Sequence, residues 1–132
     1  MSKTERKKHA VGYVRLSDWR GDADPSTSPA GQERTIRAFC EAKGWEVLDV
    51  IHDLDVSGSA RGLRLDRPGL GKVRALYDRA DVLVVAKLDR LARNVSDFMA
   101  ICEEAAERNV APVSVAESLD MTTPGGRFTA TI

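Results

Sequence analysis

The sequence has few cysteines and histidines, two residue types that commonly bind metal ions. Among its 132 residues are two cysteines and two histidines. Cys40 and Cys102 are far apart and each lies on the apolar side of a helical pattern, so we expect buried free thiols. No cluster of aspartate, glutamate and histidine has the spacing of metal ligands, and we expect neither a metal nor a cofactor.

The shortage of histidine also argues against serine hydrolysis. His9 lies in a basic leader and His52 lies inside a strand pattern, so neither is placed to activate a serine as a base. The Gly-x-Ser-x-Gly turn of many hydrolases is absent from the sequence as well. We therefore do not favour a serine hydrolase.

Excess charge and long apolar runs are missing too. The chain has 20 basic and 20 acidic residues and a formal net charge of zero, whereas free-standing DNA-binding modules normally carry a basic excess. No apolar run approaches the length of a membrane span, and residues 1–9 lack the hydrophobic stretch of a signal peptide. We expect one domain, located in the cytoplasm and without membrane contact.

The charges that are present are unevenly distributed. Residues 61–93 carry nine basic and four acidic side chains, whereas residues 94–132 carry two and six. Arginine outnumbers lysine 14 to 6, although a genome rich in G and C would give the same bias. The local cationic stretch is large enough to hold a phosphodiester, while most of the affinity for a nucleic acid would come from elsewhere.

Hydrophobic periodicity predicts four strands that alternate with three helices. The predicted strands are residues 10–15, 45–52, 82–86 and 111–115. The first helix begins at Ser28-Pro29 and ends at Gly44, the second runs from about Arg67, after an Asp66 cap, to near Ala80, and the third begins at Val95. This order predicts an α/β fold, a three-layer sandwich with a mostly parallel four- to five-stranded central sheet.

A serine and several arginines lie where the predicted elements begin or end. Tyr13-Val14-Arg15-Leu16-Ser17 ends the first strand and Lys87-Leu88-Asp89-Arg90-Leu91-Ala92-Arg93 follows the third. The carboxyl ends of parallel strands open onto one crevice, and arginine binds phosphate oxygens with two hydrogen bonds. A hydroxyl among guanidinium groups indicates phosphoryl transfer. The alternative is a flavodoxin-like module that binds a phosphate or nucleotide without covalent chemistry, but no Gly-rich turn follows the first strand.

Five motifs in this order resemble the catalytic domain of serine site-specific recombinases, the resolvase and invertase superfamily. They are the Tyr13–Ser17 segment, Gln32-Glu33-Arg34, Asp55-Val56-Ser57-Gly58-Ser59, Asp66-Arg67-Pro68-Gly69-Leu70 and the Lys87–Arg93 segment. The long loop after Ser17 and the Asp53–Gly58 sequence are most similar to the large serine integrases of actinobacterial phages. The resemblance implies a resolvase-like fold.

The resemblance also implies roles for individual residues. Ser17 would attack a DNA phosphodiester and form a 5′-phosphoserine link, while the scissile phosphate would be bound by Arg15, Arg67, Arg90 and Arg93. Asp89 would orient the arginines or take part in proton transfer, and Gln32 and Ser57 would support the site. The family's aspartate position falls on Leu54, so either Asp53 or Asp55 could serve.

Three of these residues have simpler interpretations. Asp89 could pair with Arg93 four residues later in a helical turn. Ser57 could only stabilise its glycine-flanked loop, and Gln32 could be an exposed residue of the first helical turn.

The motifs divide the chain into a flexible basic leader (1–9), a catalytic domain (10–125) and the start of a helix (126–132). In the family this helix is long and leads to DNA-binding regions, so we expect the chain to be a fragment of a longer recombinase. The parent protein is expected to bind double-stranded DNA and to self-associate into dimers and tetramers.

Overall fold

The computed structural model describes residues 7–16, 28–54, 68–88, 91 and 95–120. These residues form five strands and three helices. In chain order the elements are β1 (His9–Leu16), α1 (Pro29–Lys43), β2 (Glu46–Leu54), α2 (Pro68–Ala75), β3 (Val82–Val85), α3 (Val95–Glu107), β4 (Ala111–Ser114) and β5 (Leu119–Asp120). In this described part of the chain, no helix has the length and apolar character needed to cross a membrane.

The strands form one sheet in the order β2-β1-β3-β4-β5. β1 pairs in parallel with β2 and with β3, and β3 pairs in parallel with β4. β5 pairs with β4 in the antiparallel direction. The predicted α/β sandwich with a mostly parallel sheet is therefore confirmed.

Helices cover both faces of the sheet. On one face, Ile36 and Cys40 of α1 pack in a hydrophobic cluster with residues of β1 and β3. On the other face, α2 and α3 contribute Leu70, Val73 and Ile101 to a second cluster. All four residues of β3 are buried, as expected for a central strand covered on both sides.

The ends of α1 follow the sequence signals. The Ser28 hydroxyl accepts a hydrogen bond from the Gly31 backbone N–H at 3.0 Å, and Pro29 occupies the first turn. At the other end, Gly44 adopts a positive φ of 75°. This conformation lets the Trp45 N–H bond to the Cys40 carbonyl at 2.9 Å, which closes the helix. Both predicted boundaries are confirmed.

The second helix is shorter than its apolar pattern predicts. α2 ends at Ala75 rather than near Ala80. The backbone then tightens, because the N–H groups of Leu76 and Tyr77 bond to carbonyls three residues back, at 3.0 and 3.1 Å. Tyr77 and Ala80 remain buried, so the apolar pattern continues after the helix has ended. The predicted cap, Asp66, and the predicted first residue, Arg67, lie outside the described residues.

The strands also differ from their predicted bounds. β1 begins at His9, so the last residue of the predicted flexible leader belongs to the sheet, where it pairs with Glu46. β2 reaches Leu54 rather than His52, so Asp53 lies in the strand and not in the loop after it. β3 and β4 each end one residue earlier than predicted. After β4, residues 115–118 form a tight turn in which Ser118 has a φ of 55°. So short a connection forces β5 to be antiparallel, because a parallel strand needs a crossover of about a dozen residues.

Candidate functional site

The sheet topology places a crevice at the carboxyl ends of β1 and β3. α1 connects β1 to β2 over one face of the sheet, and α2 connects β2 to β3 over the other. In open α/β sheets, ligands bind at the carboxyl ends of two neighbouring strands whose connections pass over opposite faces of the sheet. Arg15 lies near the end of β1 and Lys87 lies two residues after β3. The fold thus brings Arg15 and Lys87, which are 72 residues apart in the sequence, to one edge of the sheet.

Asp53 forms the centre of a buried polar cluster at this edge. Its side chain is 6% exposed. One carboxylate oxygen, Oδ2, accepts a hydrogen bond from the Tyr13 hydroxyl at 2.6 Å, and Oδ1 accepts one from the Gly69 backbone N–H at 2.7 Å. A buried carboxylate needs such partners, because burial removes the water molecules that would otherwise solvate it. The cluster therefore joins β1, β2 and the beginning of α2.

Gly69 is part of the site because of its backbone. As the second residue of α2, its N–H has no carbonyl within the helix to bond to and points towards the carboxylate. A Cβ atom at this position would lie 2.5 Å from the Asp53 carboxyl carbon. Only glycine permits so close an approach. Arg67, the predicted phosphate ligand, immediately precedes α2 in the sequence.

Arg15 lies beside Asp53 on the neighbouring strand. The two residues are paired in the parallel register of β1 and β2. The Arg15 side chain is 5% exposed, which is rare for arginine outside functional or ion-paired sites. Burial strengthens the interactions of a guanidinium with an anion, because less water competes for its N–H groups.

Gln32 connects α1 to the end of β1. Its side chain is 1% exposed, and its Nε2 donates a hydrogen bond to the Arg15 carbonyl at 3.2 Å. The interpretation of Gln32 as an exposed first-turn residue is therefore wrong. From the first turn of α1, the amide thus reaches a carbonyl two residues before Ser17 and holds this end of β1.

Glu117 is a residue of this edge that the sequence did not single out. It lies in the turn between β4 and β5, and its Oε1 accepts a hydrogen bond from the Leu88 backbone N–H at 3.2 Å. The buried Ser114 hydroxyl donates to the same oxygen. A glutamate in a turn belongs to no recognisable sequence motif. Its position after a strand that ends at the crevice is the one signal that could have identified it.

A second polar group lies on the α1 side of the sheet. Glu33 accepts hydrogen bonds from Arg37 at 2.8 Å and contacts His52 Nε2 at 2.7 Å. The hydrogen bond from Arg37 lowers the pKa of Glu33, with a smaller contribution from His52, against the opposing effect of partial burial. His52 therefore interacts with α1 and not with the Asp53 cluster, which fits its exclusion as a base for a serine.

The cysteines lie in the two hydrophobic clusters. Cys40 and Cys102 are buried free thiols, as predicted. Burial raises the pKa of each thiol to about 11, so both are protonated at neutral pH and poorly nucleophilic. The described ranges contain no group of three or more histidine, cysteine or acidic side chains that could hold a metal ion.

The remaining predicted site residues lie outside the described residues. They are Ser17, Asp55, Ser57, Arg67, Asp89, Arg90 and Arg93. The structure thus describes Arg15, Gln32 and Asp53 of the predicted site and the elements that flank the others. The simpler interpretations of Asp89 and Ser57 stay open.

Comparisons with known proteins bear on the family and the fold of the chain. The family model "Resolvase, N terminal domain" matches residues 10–132. A DNA-invertase of Escherichia phage P1 is 41% identical over 120 residues, which cover 89% of this chain and 54% of the relative. The serine recombinase gin of Escherichia phage Mu is 40% identical over 118 residues, covering 89% and 52%. The crystal structure of the N-terminal catalytic domain of TP901-1 integrase matches with a TM-score of 0.79 and 27% identity, covering 94% of this chain and 89% of that one.

The chain spans about half the length of the curated relatives it matches. The matched family region includes every described strand and helix except the first residue of β1. The sheet order, the arginine at the end of β1 and the extent of this match lead to one conclusion: the chain belongs to the resolvase N-terminal domain family.

Proposed function

We propose that this chain is the catalytic domain of a serine site-specific DNA recombinase that cleaves and rejoins DNA through a 5′-phosphoserine intermediate. The observation that carries the proposal is the convergence of Arg15, Asp53 and the N-terminus of α2 at the carboxyl edge of the sheet. This edge combines a buried guanidinium with the backbone that leads directly into Ser17 and Arg67. Membership of the resolvase N-terminal domain family supports the same chemistry.

In the proposed reaction, Ser17 Oγ attacks the phosphorus of a DNA phosphodiester. A bond forms between Oγ and phosphorus as Oγ loses its proton, the bond from phosphorus to the 3′ oxygen breaks, and this oxygen takes up a proton, so the strand leaves with a free 3′-hydroxyl. The phosphoserine ester keeps the energy of the broken bond, so the reverse step joins strands without ATP. Asp89 is proposed to orient the arginines or take part in proton transfer.

Arginine is proposed to stabilise the transition state. Charge accumulates on the equatorial phosphoryl oxygens, and Arg15, Arg67, Arg90 and Arg93 would neutralise it in a site that excludes water. An arginine in this role accelerates related phosphoryl transfers by about a thousandfold or more. Gln32, Ser57 and either Asp53 or Asp55 would act by supporting the site to which these arginines belong.

We further propose that the parent is a large serine integrase of the type found in actinobacterial phages. Support comes from the long segment between β1 and α1 and from the likeness to the catalytic domain of TP901-1 integrase. The proposed partners are double-stranded DNA and further copies of the parent, as dimers and tetramers, in the cytoplasm. In this proposal, residues 1–8 are a leader, the catalytic domain begins with His9 at the start of β1 and extends to residue 125, and residues 126–132 begin the helix that leads to the DNA-binding regions.

Covalent trapping with the full-length recombinase tests the proposal. A nicked substrate that carries its recombination site should give a protein–DNA adduct with the wild type, and the adduct should be absent from Ser17→Ala although DNA binding remains. Ser96→Ala, which changes an exposed serine of α3, is the matched control and should react normally. The adduct should also form in excess EDTA, because the arginines supply the positive charge.

The outcomes separate the possible functions. An adduct formed by Ser17→Ala would refute the assigned nucleophile, and strict dependence on magnesium would refute metal-free cleavage. Binding of phosphate or nucleotide by the wild type without any adduct would support the non-covalent module instead.

A further inference from the structure

We propose that Glu117 is a positioning residue for the arginine segment, which we define as residues 87–93. The proposal rests on the proposed function, because that function makes Arg90 and Arg93 ligands of the scissile phosphate. Glu117 lies in the β4–β5 turn, 24 residues after the end of this segment, and none of the family motifs in the sequence includes it. Its Oε1 accepts from the Leu88 N–H at 3.2 Å.

The contact with Glu117 continues a row of bonds between β3 and β4. Beyond the strand ends, the Val115 N–H bonds to the Val85 carbonyl at 3.0 Å and the Ala116 N–H bonds to the Ala86 carbonyl at 2.9 Å. The Glu117 side chain then accepts a hydrogen bond from the Leu88 N–H. The backbone that leaves β3 is therefore hydrogen-bonded to residues 115–117 as far as Leu88, which lies within the arginine segment.

A second attachment of the segment lies at Leu91. The Leu91 N–H bonds to the Leu88 carbonyl at 2.9 Å, and the Leu91 side chain is buried in the cluster beneath α2 and α3. Leu88 is thus bonded through its N–H to Glu117 and through its carbonyl to Leu91. Residues 89 and 90 lie between Leu88 and Leu91 in the sequence, and the proposal is that holding these two described residues restricts where Arg90 can be placed.

A hydrogen bond from Ser114 holds the Glu117 carboxylate in one orientation. An exposed glutamate normally samples many rotamers, and holding it in one costs conformational entropy. Here the hydroxyl of the buried Ser114 donates to the same oxygen that accepts from Leu88. This second bond orients the carboxylate towards the arginine segment. Hydrogen bonds to an ionised carboxylate are also stronger than those between neutral groups.

The expected consequence is an effect on the cleavage step and not on DNA binding. Phosphoryl transfer depends on accurate placement of the charged groups, so a small displacement of Arg90 weakens the transition state more than the bound ground state. In single-turnover assays of the full-length recombinase, Glu117→Ala should cleave about tenfold or more slowly, the effect of losing one hydrogen bond to a charged group. Its Kd for the recombination site should change by less than about twofold.

Two further variants separate positioning from charge and from general stability. Glu117→Gln keeps an acceptor oxygen for Leu88 and should restore cleavage to within about threefold of wild type, because a neutral hydrogen bond is only modestly weaker. Asp78→Ala is the matched control, since it also removes an exposed acid with a side-chain partner, Arg108. It should leave the cleavage rate unchanged.

The results discriminate between the proposals. Cleavage by Glu117→Ala at the wild-type rate, or equal defects in Glu117→Ala and Glu117→Gln, would overturn positioning by this hydrogen bond. If Glu117→Ala does not fold, Ser114→Ala tests the same oxygen and should slow cleavage about threefold with DNA binding unchanged; a wild-type rate would overturn the proposal. Failure of the wild type to form any adduct would instead overturn the proposed function.

Discussion

Asp53 shows how a single side chain can determine the geometry of the candidate site. Its carboxylate is buried and bonds to Tyr13 on β1 and to the Gly69 N–H on α2. Both bonds are long-range in sequence, so neither can form before the sheet and the helix have assembled. The carboxylate therefore stabilises the tertiary arrangement and not an individual element. Removing either donor leaves an acceptor that water cannot easily reach.

Replacing Tyr13 by phenylalanine tests this role. Tyr13→Phe keeps the ring in the core but deletes the donor at 2.6 Å from Asp53, and should lower the free energy of unfolding by about 1–2 kcal/mol. Urea denaturation of the 132-residue chain measures the change. The control is Tyr77→Phe, which removes a hydroxyl from the same hydrophobic cluster away from Asp53. Equal losses in the two variants would show that the bond to Asp53 adds nothing specific.

At the scale of elements, α2 illustrates how a helix end can be part of a site. The helix has eight residues, too few to be stable without tertiary contacts. Its first turn is held by the Asp53 carboxylate, which satisfies an N–H that the helix leaves unbonded and interacts favourably with the helix dipole. The start of α2 therefore depends on close contact between Gly69 and Asp53 of β2.

The two glycines of α2 provide a matched pair for testing this contact. In Gly69→Ala the added Cβ would lie 2.5 Å from the Asp53 carboxyl carbon, whereas in Gly71→Ala it would meet nothing within 4 Å. We expect Gly69→Ala to destabilise the chain by about 1–3 kcal/mol through overpacking. Gly71→Ala should stabilise it by up to about 1 kcal/mol through helix propensity. Thermal or urea unfolding measures both, and a neutral Gly69→Ala would refute the close contact.

The elements also show which features a sequence can predict. Both ends of α1 were predictable, because Ser28, Pro29 and Gly44 act through local backbone chemistry. The early end of α2 was not, because the apolar pattern continues into a turn whose side chains remain buried. Burial of Gln32 and the contact of Glu117 with Leu88 depend on the packing of distant segments. Local periodicity holds no information on such contacts.

At the scale of the whole molecule, the fold brings Arg15, Asp53 and the start of α2 to one edge of the sheet, while the chain as a whole carries no net charge. The described positive charge of the candidate site comes from a buried side chain, Arg15, and not from a broad basic surface. Such groups can stabilise a transition state strongly, because they act at short range in a site with little water. They contribute little to long-range attraction of DNA, which depends on net charge and is screened by salt.

The last prediction follows from this separation of catalysis from affinity. The 132-residue chain should bind duplex DNA only weakly, with a Kd above about 10 μM at physiological salt, because net-neutral chains release few counterions. Residues 61–93 have an excess of five basic side chains, so the plot of log K against log salt should be no steeper than about −4.5. Fluorescence anisotropy with a labelled duplex between about 50 and 200 mM salt measures both quantities. Submicromolar binding, or a markedly steeper slope, would show that this chain itself carries a DNA-binding surface beyond its candidate catalytic edge.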